Sequence, residues 1–205
     1  EEIMDALFPS STEDVAVRDF KVAYNALLKV LEPERNAREE SFYIERKTGM
    51  YRIRSAPYIE SDVHYFEQLI SLANKQHCPI LRKQWLLKAI QQYTGNLYEE
   101  NSHIEWLHQE RQRYKTLYLK AVEQLAQLLF EAQHYEQCIQ YCEMILSKES
   151  TWEEAYRLIM WCYFYLENKV AVQKTYERCE QVLLQQYDME PMQSTTEIFE
   201  KLIKI

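Results

Sequence analysis

Glycine is almost missing from this sequence, which has 2, Gly49 and Gly95, among 205 residues. Average usage of about 7% would supply roughly 14. A Walker loop, a dinucleotide fingerprint and a nucleophile elbow each need two or three glycines within a few residues, so that backbone can approach phosphate or turn sharply. Their absence excludes those enzyme classes. Long apolar runs are missing too: no stretch reaches the roughly 18 residues of a membrane span, so no membrane partner is expected. The chain opens on Glu1, Glu2 and Asp5 where a secretory signal carries positive charge, and it lacks an initial Met, as a trimmed fragment would. The five cysteines, Cys78, Cys138, Cys142, Cys162 and Cys179, are odd in number and scattered through apolar helical stretches. They form no compact disulfide framework, and a reducing cytoplasm suits them. Positive charge is in deficit, 24 Lys and Arg against 32 Asp and Glu, net −8. That average argues against nucleic acid as a general partner, because phosphate is bound mainly through Lys and Arg. An acidic average can still hide a local basic face.

What is present is helical. The hydrophobic fraction is 47%, ordinary for a chain that buries a core, and at roughly 150 residues per domain the length allows one domain or two. With 5 prolines among runs of Leu, Glu, Gln, Lys and Ala, breakers are few and helix formers many. Residues 1–56 nevertheless read as mixed. A short amphipathic stretch, Glu2 to Phe8, stops at Pro9, and Ser10, Ser11 and Thr12 offer caps for a longer helix through Leu31, ended by Glu32-Pro33. Beyond a charged connector, Ser41 to Arg46 and Met50 to Arg54 are β-prone runs around Lys47-Thr48-Gly49, a hairpin pattern.

From about Ser61 the pattern is helical pairs joined by short turns, with helices expected at 61–76, 81–94, 103–131, 134–147, 151–166, 169–186 and 193–204. A shift of 34 residues places Ala121 on Ala155, Leu125 on Ile159, Leu128 on Cys162, Phe130 on Phe164, Cys138 on Val172 and Ile145 on Cys179. That is the tetratricopeptide period. Such pairs stack apolar face on apolar face and leave a concave surface that binds protein segments.

Taken in order, Leu7-Phe8-Pro9, Asp14 to Pro33, the hairpin Tyr43 to Ile53, Asp62-Val63-xx-Phe66, Tyr93-xx-Asn96, Trp106-xxx-Glu110-Arg111 and Glu190-Pro191 resemble the bacterial transcriptional activator domain together with part of the winged helix that precedes it in antibiotic-regulatory-protein-type activators. Tyr24 to Pro33, followed by Phe42 to Arg46, also resembles large regulators that join this module to a maltose-regulator-like ATPase, although no ATPase motif occurs here. The resemblance implies a mostly α fold, with residues 1–56 the C-terminal part of a winged helix bearing a β-hairpin wing and 57–205 a tetratricopeptide-like activator domain. It further implies duplex DNA as a partner through the complete winged helix, RNA polymerase or the parent's own regulatory domains as protein partners, and a possible homodimer. The sequence is then expected to start at the second helix of the winged helix. Its recognition helix is less basic than those of many relatives, which carry arginines where Ala26 and Leu28 stand.

A helix entering the major groove needs core anchors on one face and side chains that reach bases or phosphates on the other. Phe20, Tyr24, Leu27 and Leu31 are the expected anchors, short of full cover if an earlier helix is missing. Arg18, Lys21, Val22, Asn25 and Lys29 lie largely opposite. Asn pairs bidentately with adenine, Arg with guanine, and lysines position on phosphate, while Arg46, Lys47 and Thr48 of the wing reach the neighbouring backbone or minor groove. Residues 1–56 hold nine Lys and Arg against eleven Asp and Glu, so acids dilute the basic face.

Other groupings read as structural. His134, Cys138 and Cys142 share a helical face, but Cys138 sits where these repeats need a small residue, and a linear triad lacks the tetrahedral spread of zinc. His103 and His108 do not share a face. Glu99, Glu100, Glu105 and Glu110 have no nucleophile or metal beside them and read as a solvated surface. Most aromatics at helical spacing read as core, with Tyr114 and Tyr118 kept as candidates for a partner surface. No cofactor, no metal and no enzymatic activity are expected. The rival reading is a protein-binding helical-repeat scaffold without DNA binding.

Overall fold

The computed structural model describes residues 2–36, 39–54, 61–99 and 104–204, with only the backbone of Trp106. The chain divides into two compact units, Glu1–Ser61 and Asp62–Ile205. The boundary expected at 56/57 lies outside the described residues.

In the first unit, α1 (Glu2–Leu7) leads through Pro9 to α2 (Glu13–Leu31). Thr12 at the N-cap is extended, Glu13 and Asp14 occupy the first turn and Lys29 the last, an arrangement that complements the helix dipole. Pro33 forbids continuation. Strands β1 (Ile44–Lys47) and β2 (Met50–Ile53) pair antiparallel, with Ile44 opposite Ile53 and Lys47 opposite Met50. The two residues between them, Thr48 at φ 49° and Gly49 at φ 80°, are both left-handed, as a type I′ hairpin turn requires.

The second unit is all helix among its described residues: α3 (Asp62–Lys75), α4 (Pro79–Gln92), α5 (Trp106–Glu131), α6 (Tyr135–Lys148), α7 (Glu153–Tyr165), α8 (Lys169–Tyr187) and α9 (Gln193–Lys204). Consecutive helices pack on one another, α5 also meets α7, and α9 closes over α7 and α8. The architecture is a tetratricopeptide-like stack. Of the six residue pairs related by 34 positions, five share a burial class, from Ala121 and Ala155 to Ile145 and Cys179; only half-buried Leu128 and buried Cys162 differ. The backbone repeats as well. After α5, Gln133 (φ 60°) donates its N–H to Phe130 O and His134 to Leu129 O, at 2.9 and 2.8 Å. After α7, Glu167 (φ 56°) donates to Phe164 O and Asn168 to Tyr163 O, at 3.0 and 2.9 Å. Both are Schellman caps whose left-handed residue is not the usual glycine.

The core between these helices holds Leu125, Leu129, Ile145, Tyr156 and Ile159, with Cys138, Cys142 and Cys162 wholly buried among them. Thiol hydrogen bonds to Cys138 and burial raise the pKa values of Cys142 and Cys162, and burial pushes Cys179 up to about 12. Helix α9 is fastened by a buried carboxylate: Glu153 Oε2 accepts from Thr195 Oγ1 at 2.6 Å and from the Met192 N–H at 2.9 Å. Arg157 donates to the same Thr195 hydroxyl at 2.8 Å, so the buried acid is tied to a cation through one side chain.

Candidate nucleic-acid interface

Helix α2 presents Arg18, Val22, Asn25 and Lys29 at i, i+4, i+7 and i+11, one stripe, with Lys21 at its edge. All five are exposed, and Val22 is 65% exposed. Arg18 Nε bonds the neighbouring Asp19 at 2.9 Å. Lys21 and Lys29 have no acidic partner among the described residues.

The hairpin stands beside this helix because Tyr51 packs edge-on to both Phe20 and Tyr24, at 5.1 Å in each case. A second anchor is Ser41, whose hydroxyl donates to Glu32 at the end of α2 and accepts from the Ile44 N–H at 2.9 Å. The bond from Ser41, with backbone donors from Tyr43 and Phe42, holds the Glu32 carboxyl below the usual carboxylate range. As a result Asn25 of α2 and Arg46 and Lys47 of β1 line one cavity of about 440 Å³, with Arg35 and Arg54. The acids on its rim are engaged: Glu45 by Arg52 at 2.5 Å, Glu40 by Arg54 at 3.2 Å, and Glu39 by Asn36 at 2.8 Å. Arg46 lies over the Tyr51 ring at 5.5 Å, and Lys47 keeps an uncommitted charge among the described residues. Thr48 sits at the exposed tip.

The four expected anchors divide. Phe20 and Tyr24 are half-buried against Tyr51, whereas Leu27 and Leu31 are 46% and 40% exposed; Ala16 and Leu28 are the buried residues of α2. Leu27 opens with Ile3, Leu7, Ala23, Tyr51 and Ile53 onto an apolar depression of about 300 Å³.

The other groupings do not converge. His134 is an exposed N-cap, while Cys138 and Cys142 point into the core. His103 and Glu100 lie outside the described residues. Glu110 pairs with Arg113 at 3.0 Å. The expectation of an exposed Tyr118 is corrected: it is 4% exposed, stacked on Tyr93 with centroids 4.3 Å apart. Tyr114 is half-buried and donates to Glu67 at 3.2 Å. No helix among the described residues is long and apolar enough to cross a membrane.

Residues 61–203 match the family model of the bacterial transcriptional activator domain. No curated protein matches the sequence. Among solved structures, Mycobacterium tuberculosis EmbR in complex with a low affinity phosphopeptide is similar, with a TM-score of 0.81 at 12% identity over 98% of this chain and 53% of that one. At that identity the likeness is one of fold, and the chain spans about half the length of EmbR.

Proposed function

Since the chain belongs to the bacterial transcriptional activator domain family, we propose that it is part of a cytoplasmic, non-enzymatic transcriptional activator that contacts duplex DNA through its first unit and protein partners through its helical repeats. The observation that carries the DNA half is the juxtaposition of the exposed stripe on α2 with the hairpin, which gathers Asn25, Arg46 and Lys47 around one cavity while two of its three acids, Glu40 and Glu45, are paired with arginines. In this reading α2 is the recognition helix, β1 and β2 are the wing, and the open apolar face at Leu27 receives a further helix of the winged helix. The repeats supply a stacked surface suited to RNA polymerase, to regulatory segments of the same protein, or to a second copy.

The test is a titration of duplex DNA with the winged helix intact. Lys21→Ala and Lys29→Ala are expected to weaken binding to all duplexes, and removing one lysine–phosphate pairing should make the log–log salt slope shallower by about 0.9. Asn25→Ala is expected to relax sequence preference by about 1–3 kcal/mol at the base it reads. Unchanged affinity and slope in all three variants remove the assignment. The scaffold reading draws on one observation, the engagement of Arg18 by Asp19, and the same titration separates the two.

A further inference from the structure

Residues 62–205 carry twenty Asp and Glu against fifteen Lys and Arg, yet one cavity of about 310 Å³ in the helical unit is lined by three cations, two amides, the His108 imidazole and the Tyr93 ring and, among the described residues, by no carboxylate. Its wall is one face of α5, where His108, Arg111, Gln112 and Lys115 recur at helical spacing. Asn96, just past α4, and Lys148, at the end of α6, close it.

The cations of this cavity are held in place. Arg111 donates from Nε to Leu97 O at 2.8 Å and from Nη2 to Tyr98 O at 2.9 Å, and these two carbonyls fix the plane of its guanidinium. Lys148 Nζ lies 5.9 Å and 5.6 Å from the ring centroids of Tyr93 and Tyr118, and no acid pairs with it among the described residues. Those rings stack on each other and so fix the floor beneath the ammonium. Two carboxylates stand at the edge: Glu149, 2.9 Å from Lys115 Nζ, and Glu99, 3.5 Å from Asn96 Nδ2. Lys115 already accommodates a carboxylate in this geometry, and the interior offers Lys148, Gln112 and His108 for another.

We infer that this cavity is an anion subsite of the repeat surface, and that its occupant is the carboxylate of an acidic peptide segment on a partner protein. Ligand pockets for neutral molecules are lined mainly by apolar groups, whereas this one has charged and amide walls suited to charge-assisted hydrogen bonds. At about 310 Å³ it holds one or two acidic side chains and leaves the rest of a peptide to lie along the helices. The site deepens the protein-binding half of the proposed function. Its test uses no DNA, so failure of either reading leaves the other standing.

The experiment follows the backbone amide resonances of the full chain during titration at low salt with an acetylated, amidated tetraglutamate peptide, with tetraglutamine and inorganic phosphate as separate arms. Tetraglutamate is expected to move the resonances of Asn96, Gln112, Lys115 and Lys148, and tetraglutamine to move none. Lys148→Met keeps the aliphatic stem but removes the charge, and is expected to weaken tetraglutamate about tenfold, as loss of one charge-assisted bond would. Lys115→Met strips Glu149 of its partner at the edge of the cavity and is expected to weaken tetraglutamate as well, by leaving that carboxylate to repel it. Lys88→Met removes a charge that sits over Trp85 on α4, outside the cavity, and is expected to leave binding unchanged. Equal loss in Lys88→Met, no loss in either cavity variant, or phosphate binding at these residues without peptide binding each overturns the proposal.

Discussion

Cys138 shows how a single side chain fixes a helix crossing. It is wholly buried, with Cys142 of α6 and Cys162 of α7 against it. Cys138→Trp is expected to destabilise the helical unit by about 1–3 kcal/mol or more, read as a fall in melting temperature, whereas a zinc chelator should leave that temperature where it is. A chelator-dependent fall would restore a metal site at His134, Cys138 and Cys142. The burial of Cys138 was legible from the 34-residue shift, because the period carries it onto Val172, which is also buried. The burial of Tyr118 was not legible. Its cover is Tyr93, from another helix pair, and spacing within one helix contains no information about a ring that arrives from elsewhere. Leu27 fails in the opposite sense: periodicity places it on the apolar arc with Phe20, Tyr24 and Leu31, but burial needs a covering partner, and the described residues around it leave an opening.

Among the elements, the turns carry the least expected feature of a glycine-poor chain. Gln133 and Glu167 occupy left-handed positions 34 residues apart, where a side chain other than glycine costs roughly 1–2 kcal/mol. Gln133→Gly and Glu167→Gly are each expected to raise stability by up to about 1 kcal/mol, the relief of backbone strain less the extra entropy glycine loses on folding. The denaturant midpoint measures it, and a lowered midpoint in either variant would mean that the side chain holds the cap by interactions stronger than the strain. The hairpin was legible because its turn is local: Thr48-Gly49 between β-prone runs dictates the pairing of Lys47 with Met50. The cavity of Arg111, Lys115 and Lys148 was only half legible. Its α5 members share one helical face, but Asn96 and Lys148 come from other elements and meet that face only through the stacking of helices.

At the scale of the molecule, the two units have unequal cores. Unit Asp62–Ile205 contains one large continuous cluster and a second under α9. The first unit buries only Ala16, Leu28 and Ile44 among its described apolar residues and leaves Ile3, Leu7, Leu27 and Ile53 exposed. Each such side chain forgoes a good part of the roughly 1.5–3 kcal/mol that full burial brings. Residues from Asp62 onward are therefore expected to fold alone with one cooperative transition, and in the whole chain amides of 12–31 should exchange faster than those of 115–185. Equal protection in the two segments would show that α2 has cover that its burial does not reveal. The placement of the cysteines adds a practical consequence. Cys78 is exposed and the other four are buried in the helical unit, so an alkylating dye should label one sulfur at once and the rest only as the helices part. The protein thus carries one handle for a fluorophore and four internal timers that record each opening of its interior.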